Sequence, residues 1–152
     1  MDVEARLTDL GLVLATLPTP AGLYVPAAPA GSLLFASGQT GTRDSRPLFP
    51  GRLGDDVTVE QGQEAARTAA LLCLAEFKQV VGSLDRIERI IRVHGWIASE
   101  PTFFDQPIVL NGASQLLVDV FGQAGQHARS AIGVAALPGG ACVEVEVIAW
   151  VS

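Results

Sequence analysis

The sequence predicts an α/β (α+β) protein built on one mixed sheet with two long helices packed on one of its faces. Three observations carry this. A capping box at Thr58-Val59-Glu60-Gln61 opens a long amphipathic stretch that Gly82 closes. Ile87 to Ala98 alternates like a strand, and Gln126 to Ser152 holds two apolar runs joined by the breaker cluster Leu137-Pro138-Gly139-Gly140. The resulting order is α, β, β, α, β, α, β, β. Strand and helix alternate after a first hairpin, and two packed layers are the simplest way to bury such elements.

In chain order, Asp2 to Leu14 reads as an amphipathic helix, with Val3, Leu7, Leu10 and Leu14 at helical spacing and Gly11 weakening its end. Leu17-Pro18-Thr19-Pro20-Ala21-Gly22 breaks the chain. Tyr24 to Ala28 and Ser32 to Gly38 are two short strands across Pro29-Ala30-Gly31, a hairpin pattern. From Gln39 to Asp56 the chain is rich in Gly, Pro, Arg and Asp without periodicity, which predicts a long surface loop at a rim. The helix after Thr58 runs to about Val81, with Ala65, Ala69, Leu72, Cys73, Phe77 and Val80 on its inner face. In the next strand Ile91, Val93, Gly95 and Ile97 share one face, and Ile90, Arg92, His94 and Trp96 the other. A second helix spans about Phe104 to Phe121, with Leu110, Ala113, Leu117, Val120 and Phe121 inward and Gly122 at its end.

At 152 residues and 49% hydrophobic content the chain suits one domain over residues 1–152, with 1–20 as an N-terminal helix and linker and 21–152 as the core. Charged residues make up only 17%, so part of the surface must itself be apolar, which predicts burial against other subunits. No apolar window approaches a bilayer span, and the N-terminus lacks the basic-then-apolar layout of a secretion signal; a cytoplasmic protein is expected, with no membrane partner. A net charge of −6 argues against broad nucleic-acid binding, so an anionic ligand has to be gripped locally. Cys73 and Cys142 lie far apart without metal-ligand spacing and read as reduced, buried small hydrophobes.

The chemistry concentrates in the last two apolar runs. Arg129 stands at the head of the first, beside the small residues Ala128, Ser130 and Ala131. In the second, Glu144 and Glu146 alternate with Val143, Val145 and Val147, so one sheet face is apolar and the other carries two carboxylates. If these strands pair, or meet across an interface, a guanidinium and a carboxylate face a common pocket suited to a small anion and an attacking water. The alternative is an ion pair between strands or subunits. His94 reads as a hydrogen-bonded sheet histidine, and His127 as exposed where the strand begins. Tyr24, the only tyrosine, is either a core aromatic or a ligand contact. Asn111 suits a helix-to-loop hydrogen bond or the edge of a site. Lys78, the only lysine, sits in a helix, which disfavours Schiff-base chemistry. Ser37 and Ser130 lie in no GxSxG elbow, and no His-acid pairing supports serine hydrolysis.

Several stretches in this order and spacing resemble the YjgF/RidA (reactive intermediate deaminase, formerly L-PSP endoribonuclease) family. They are Leu23-Tyr24-Val25, Phe35-Ala36-Ser37-Gly38-Gln39, Ile90 to Phe103, Asn111, Ala128-Arg129-Ser130, Leu137-Pro138 and Val143-Glu144-Val145-Glu146. The resemblance covers nearly everything from Tyr24 onwards. It implies a chorismate-mutase-like fold assembled as a homotrimer with sites in the clefts between subunits. It also implies that Arg129 binds a substrate carboxylate, that Glu144 positions a water, and that Tyr24, Ser37 and Asn111 line or brace the cleft. Ala131 stands where the family usually has a cysteine; its backbone N–H remains for carboxylate binding. The longer Gln39–Asp56 segment and the N-terminal helix are further departures.

A guanidinium can hold a carboxylate through two parallel hydrogen bonds and so fix an adjacent C=N carbon near a water. The expected activity is therefore hydrolytic deamination of reactive 2-imino or enamino acids to 2-keto acids and ammonia, with no metal and no organic cofactor. A non-catalytic trimer that binds a small carboxylate, as sensor or chaperone, is the alternative reading. Ribonuclease activity is the least supported, given the acidic charge and the lack of a paired His or Lys constellation.

Overall fold

The last strand of the chain lies inside the sheet, because its inner residues are the most uniformly apolar. A computed structural model describes residues 2–17, 20 and 22–152. In it β8 (Val143–Val151) lies between β2 (Leu33–Ala36) and β6 (Ile87–Ala98), antiparallel to both. β1 (Ala27–Ala30) extends the sheet beyond β2, and β7 (Ala128–Val134) forms the opposite edge. β7 runs parallel to β6, which requires a crossover, and α3 (Gln106–Phe121) supplies it. The strands β7 and β8 do not pair with each other: β6 lies between them.

α2 (Val59–Val81) and α3 pack on one sheet face. The capping box is present in full, with Thr58 Oγ1 accepting from Gln61 N and the Gln61 side chain accepting from Thr58 N. Ala65, Ala66, Ala69 and Ala70 are fully buried, which lets α2 approach closely. Gly112 is required for the helix pair, because a Cβ there would collide with the Gln63 carbonyl. Beneath the helices Val143, Val145, Val147 and Ala149 of β8 meet Val93 and Ile97 of β6, all at 0% exposure. Burying such side chains contributes about 1.5–3 kcal/mol each. Val80, predicted inward on α2, is 40% exposed, while Glu76 is 1% exposed.

The third strand matches its predicted bounds, but its alternation is interrupted. Register shifts fall between Ile87 and Arg89 and between Ile90 and Arg92, so inward positions run Ile87, Ile90, Val93. Ile90 therefore faces the core, and Ile91 is the extra residue of a bulge. α3 begins at Gln106, later than predicted, with Pro107 in its first turn, and ends at Gly122 as expected. α1 (Val3–Asp9) is shorter than the predicted Asp2–Leu14, because Gly11 takes φ 67° just beyond its end. Its Val3 and Leu7 are buried, and Glu4 pairs with Lys78 at 2.7 Å. Of the predicted break, Pro18, Thr19 and Ala21 lie outside the described residues.

The first hairpin turns at Gly31-Ser32, with Ala30 opposite Leu33, so Tyr24 precedes β1 rather than belonging to it. The Gln39–Asp56 segment is more ordered than its composition suggests. β3 (Gln39–Thr40) pairs with β8, and β4 (Thr42–Arg43) and β5 (Arg46–Pro47) form a hairpin through Asp44 and Ser45, both at positive φ. Leu53 is fully buried. No described helix is long and apolar enough to cross a membrane.

Among the described residues no helix covers the second sheet face. Leu33, Phe35, His94, Trp96, Ile132, Glu144, Glu146, Ile148 and Trp150 fall there by register, and Phe35, Ile132 and Trp150 are 36%, 46% and 48% exposed.

Candidate functional site

The predicted site residues separate into two groups, one on each side of the sheet. The parity of the strands decides this. Arg129 lies beside Val93, whose side chain enters the helix-covered core, so its guanidinium rises on the helix side at the β7 edge. Glu144 lies opposite Trp96 and Thr40, so its carboxylate rises on the uncovered face. Within one chain the two side chains leave opposite faces, with β6 between their strands.

The helix-side group is built on α3. Arg129 donates from one terminal nitrogen to Ser114 Oγ at 3.0 Å and from the other to the Pro107 carbonyl at 3.1 Å. His127 is not exposed as predicted: it is half-buried, with Nε2 at 3.0 Å from Ser114 Oγ and Nδ1 at 2.6 Å from the Gly125 carbonyl. A carbonyl only accepts, so Nδ1 carries the proton and Nε2 is the acceptor of the neutral ring. Desolvation, and then the Arg129 charge, hold the His127 pKa below its ordinary value against the opposing Gly125 hydrogen bond. Ala131, two residues after Arg129, lies beside Gly95 on the same side and is half-buried. Asn111 is exposed one turn before Ser114, and both line a groove of about 650 Å³ with Gln63, Arg67 and Gln115.

The open-face group gathers around Glu144. Its Oε1 fills the space a Cβ on residue 38 would take, so Gly38 is what admits the carboxylate. Burial, and secondarily the Glu146 charge, raise the Glu144 pKa above the usual carboxylate range. Ser37, the neighbour of Gly38, donates its hydroxyl to the Val25 carbonyl at 2.6 Å and so braces the segment carrying Tyr24. Tyr24 is 53% exposed, which excludes the core-aromatic reading. His94 does not make the expected sheet hydrogen bond through Nε2, which is buried without a partner among the described residues; its ring stacks on Trp96 with centroids 4.3 Å apart.

Sequence reasoning passed over Ser114 and Glu76. Ser114 joins Asn111 and Arg129 only through the α3–β7 contact, a tertiary fact with no local signature. Glu76 sits on the inner face of α2, where Gln39 Nε2 donates to its Oε1 at 2.7 Å and burial lifts its pKa to about 7. Both cysteines are buried and free as expected, and no cluster of metal-ligating side chains occurs among the described residues.

The family model described as "YjgF/chorismate_mutase-like, putative endoribonuclease" matches residues 4–149. Protein TCP17 of Trypanosoma cruzi is 42% identical over 147 residues, covering 96% of this chain and 92% of that protein. A crystal structure named as a putative endoribonuclease from Shewanella oneidensis superposes with a TM-score of 0.93 at 36% identity, covering 98% of this chain and 99% of that one. E. coli TdcF with bound serine shares 25% identity at a TM-score of 0.60, covering 92% of this chain and 98% of that one. With the sheet order, the helix pair on one face and the match over residues 4–149 all in agreement, the chain belongs to the YjgF/chorismate-mutase-like family.

Proposed function

We propose that this protein hydrolyses reactive 2-imino and enamino acids to 2-keto acids and ammonia, in a cleft that two copies of a homotrimer build together. The observation that carries the reading is the division of the predicted residues between the two sheet faces. Arg129 with Ala131 stands at one edge, and Glu144 with Ser37 and the Tyr24 segment stands on the open face. Each group is half of a site, and an assembly that lays one copy's β7 edge against the next copy's open face completes it. The exposed Phe35, Ile132 and Trp150 on that face support such burial. The bound serine in TdcF, an amino acid with a free carboxylate, supports a small-molecule cleft in a relative of this fold.

In this reading Arg129 pairs with the substrate carboxylate, its aim fixed by Ser114 and the Pro107 carbonyl. The Ala131 N–H and Tyr24 complete the contact, and Asn111 flanks it from α3. Glu144 of the neighbouring copy accepts a proton from water as the oxygen adds to the imine carbon. That proton passes to nitrogen, the adduct's hydroxyl then gives its own proton to Glu144 and on to nitrogen, and as the C–N bond breaks ammonia leaves a keto group behind. A raised pKa makes Glu144 a better proton acceptor than an exposed carboxylate.

Imines generated in situ by an amino-acid oxidase test this directly. Wild-type protein is expected to shorten their lifetime, and Arg129→Ala and Glu144→Gln each to abolish the effect while the assembly persists. Mixing the two inactive variants after dissociation should restore activity at about a quarter of the sites, since half the copies supply each intact partner. No acceleration by wild type across small, branched and aromatic imines overturns the reaction; no recovery on mixing overturns the shared cleft. Ligand-dependent melting without turnover would instead establish the binding-only reading that the TdcF complex also favours.

A further inference from the structure

We propose that Ser114 is a nucleophile with His127 as its base, and that the groove between α2 and α3 admits a small acyl ester or thioester. This inference goes beyond imine hydrolysis and uses groups of a single copy. A nucleophile and base within hydrogen-bond reach, with the base oriented by a third group, is the geometric mark of acyl-transfer chemistry. Here the distances are 3.0 Å from Ser114 Oγ to His127 Nε2 and 2.6 Å from His127 Nδ1 to the Gly125 carbonyl.

Donor and acceptor counting fixes where the protons are. The Gly125 carbonyl demands the proton on Nδ1, which leaves a lone pair on Nε2. Arg129, which only donates, occupies one lone pair of Ser114 Oγ at 3.0 Å. The single hydroxyl proton of Ser114 is therefore free to point at Nε2. That is the protonation state a serine nucleophile needs before attack. The low pKa of His127 keeps the ring neutral near pH 7, so it is available as a base. Ser114 also forms part of the wall of a groove of about 650 Å³, whose other polar residues include Gln63, Arg67, Asn111 and Gln115. A purely structural hydroxyl has no need of such an opening.

The step balances within these groups. Ser114 Oγ attacks the acyl carbon, its proton moves to His127 Nε2, and the carbonyl electrons shift to oxygen beside the Arg129 guanidinium. Collapse breaks the C–O or C–S bond, and His127 returns the proton to the departing alcohol or thiol. Water, deprotonated by the same nitrogen, then releases the acid and regenerates Ser114. The orienting group is a neutral carbonyl rather than a carboxylate, so it stabilises the transient imidazolium less. Turnover should accordingly be slower than in a Ser-His-Asp triad.

The test is acylation of the full-length protein by p-nitrophenyl acetate and by a fluorophosphonate probe, with the modified residue mapped by peptide mass spectrometry. The expected result is a p-nitrophenolate burst of about one per chain and an adduct on Ser114. His127→Gln, folded by circular dichroism, should slow the burst by at least about tenfold. Wild-type protein that carries no Ser114 adduct overturns the proposal without reliance on any variant. So does a Ser114 adduct whose rate is unchanged in His127→Gln. Neither readout involves an imine, so its failure is distinct from a failure of the deaminase.

Discussion

Gln39 Nε2 donates to Glu76 Oε1 across the gap between β3 and α2, and Glu76 Oε2 is left buried without a partner among the described residues. Burial, against the opposing Gln39 hydrogen bond, pushes the carboxyl pKa up from its ordinary 4.5 to about 7. A pKa raised on folding means that the native state holds its proton longer than the unfolded chain. Stability from this group is complete below about pH 4.5, falls as pH rises toward 7, and is then level, a loss of up to about 3 kcal/mol. Glu76→Gln should remove that slope and raise stability at pH 8, as measured by urea unfolding across pH 5 to 8.

His127 titrates with the opposite sign. Its pKa is depressed in the folded protein, so its contribution is present above the unfolded value and is lost as pH falls through the folded one. The nitrogen chemical shifts of the imidazole should report the Nδ1–H tautomer at pH 7. Acidification should convert Nε2 from acceptor to donor, in competition with Arg129 for Ser114 Oγ.

Gly38 separates activity from folding. The atoms nearest an alanine Cβ there belong to the Glu144 side chain, whose carboxylate end can swing away, so Gly38→Ala should unfold within a few degrees of wild type. The displaced carboxylate, however, would no longer aim at the same water. Under the proposed reaction, imine hydrolysis should fall by about tenfold to a hundredfold.

Thr58→Ala tests the start of the long helix. The variant loses the hydrogen bond from Gln61 N and leaves that donor to water. The expected cost is about 1 kcal/mol, roughly 3 °C in melting temperature, with no change in ligand binding.

The elements legible in the sequence were those specified by local chemistry. Thr58, Gln61 and Gly82 mark both ends of α2 without reference to anything distant. Val143 to Val147 announces a strand with one dry face wherever it pairs. What was hidden depends on which strands become neighbours. Arg129 and Glu144 lie in consecutive long strands, yet β6 intervenes and parity sends them to opposite faces. Ser114 and His127 are 13 residues apart and meet only because α3 folds back over β7. Gln39 lies in a stretch of turn-rich composition, and only its pairing with β8 brings it to Glu76.

The two bulges in β6 leave the strand with spare residues. Glu88 and Ile91 have no partner in the register with β8, so loss of either would let the ladder close up while His94, Trp96 and every later residue kept its neighbour. Loss of a paired residue such as Val93 would instead invert the strand beyond it, turning His94 and Trp96 inward and Ile97 out. Length variation among related chains should therefore be absorbed at these two positions, where a missing residue does not change which side of the sheet the rest of the strand addresses.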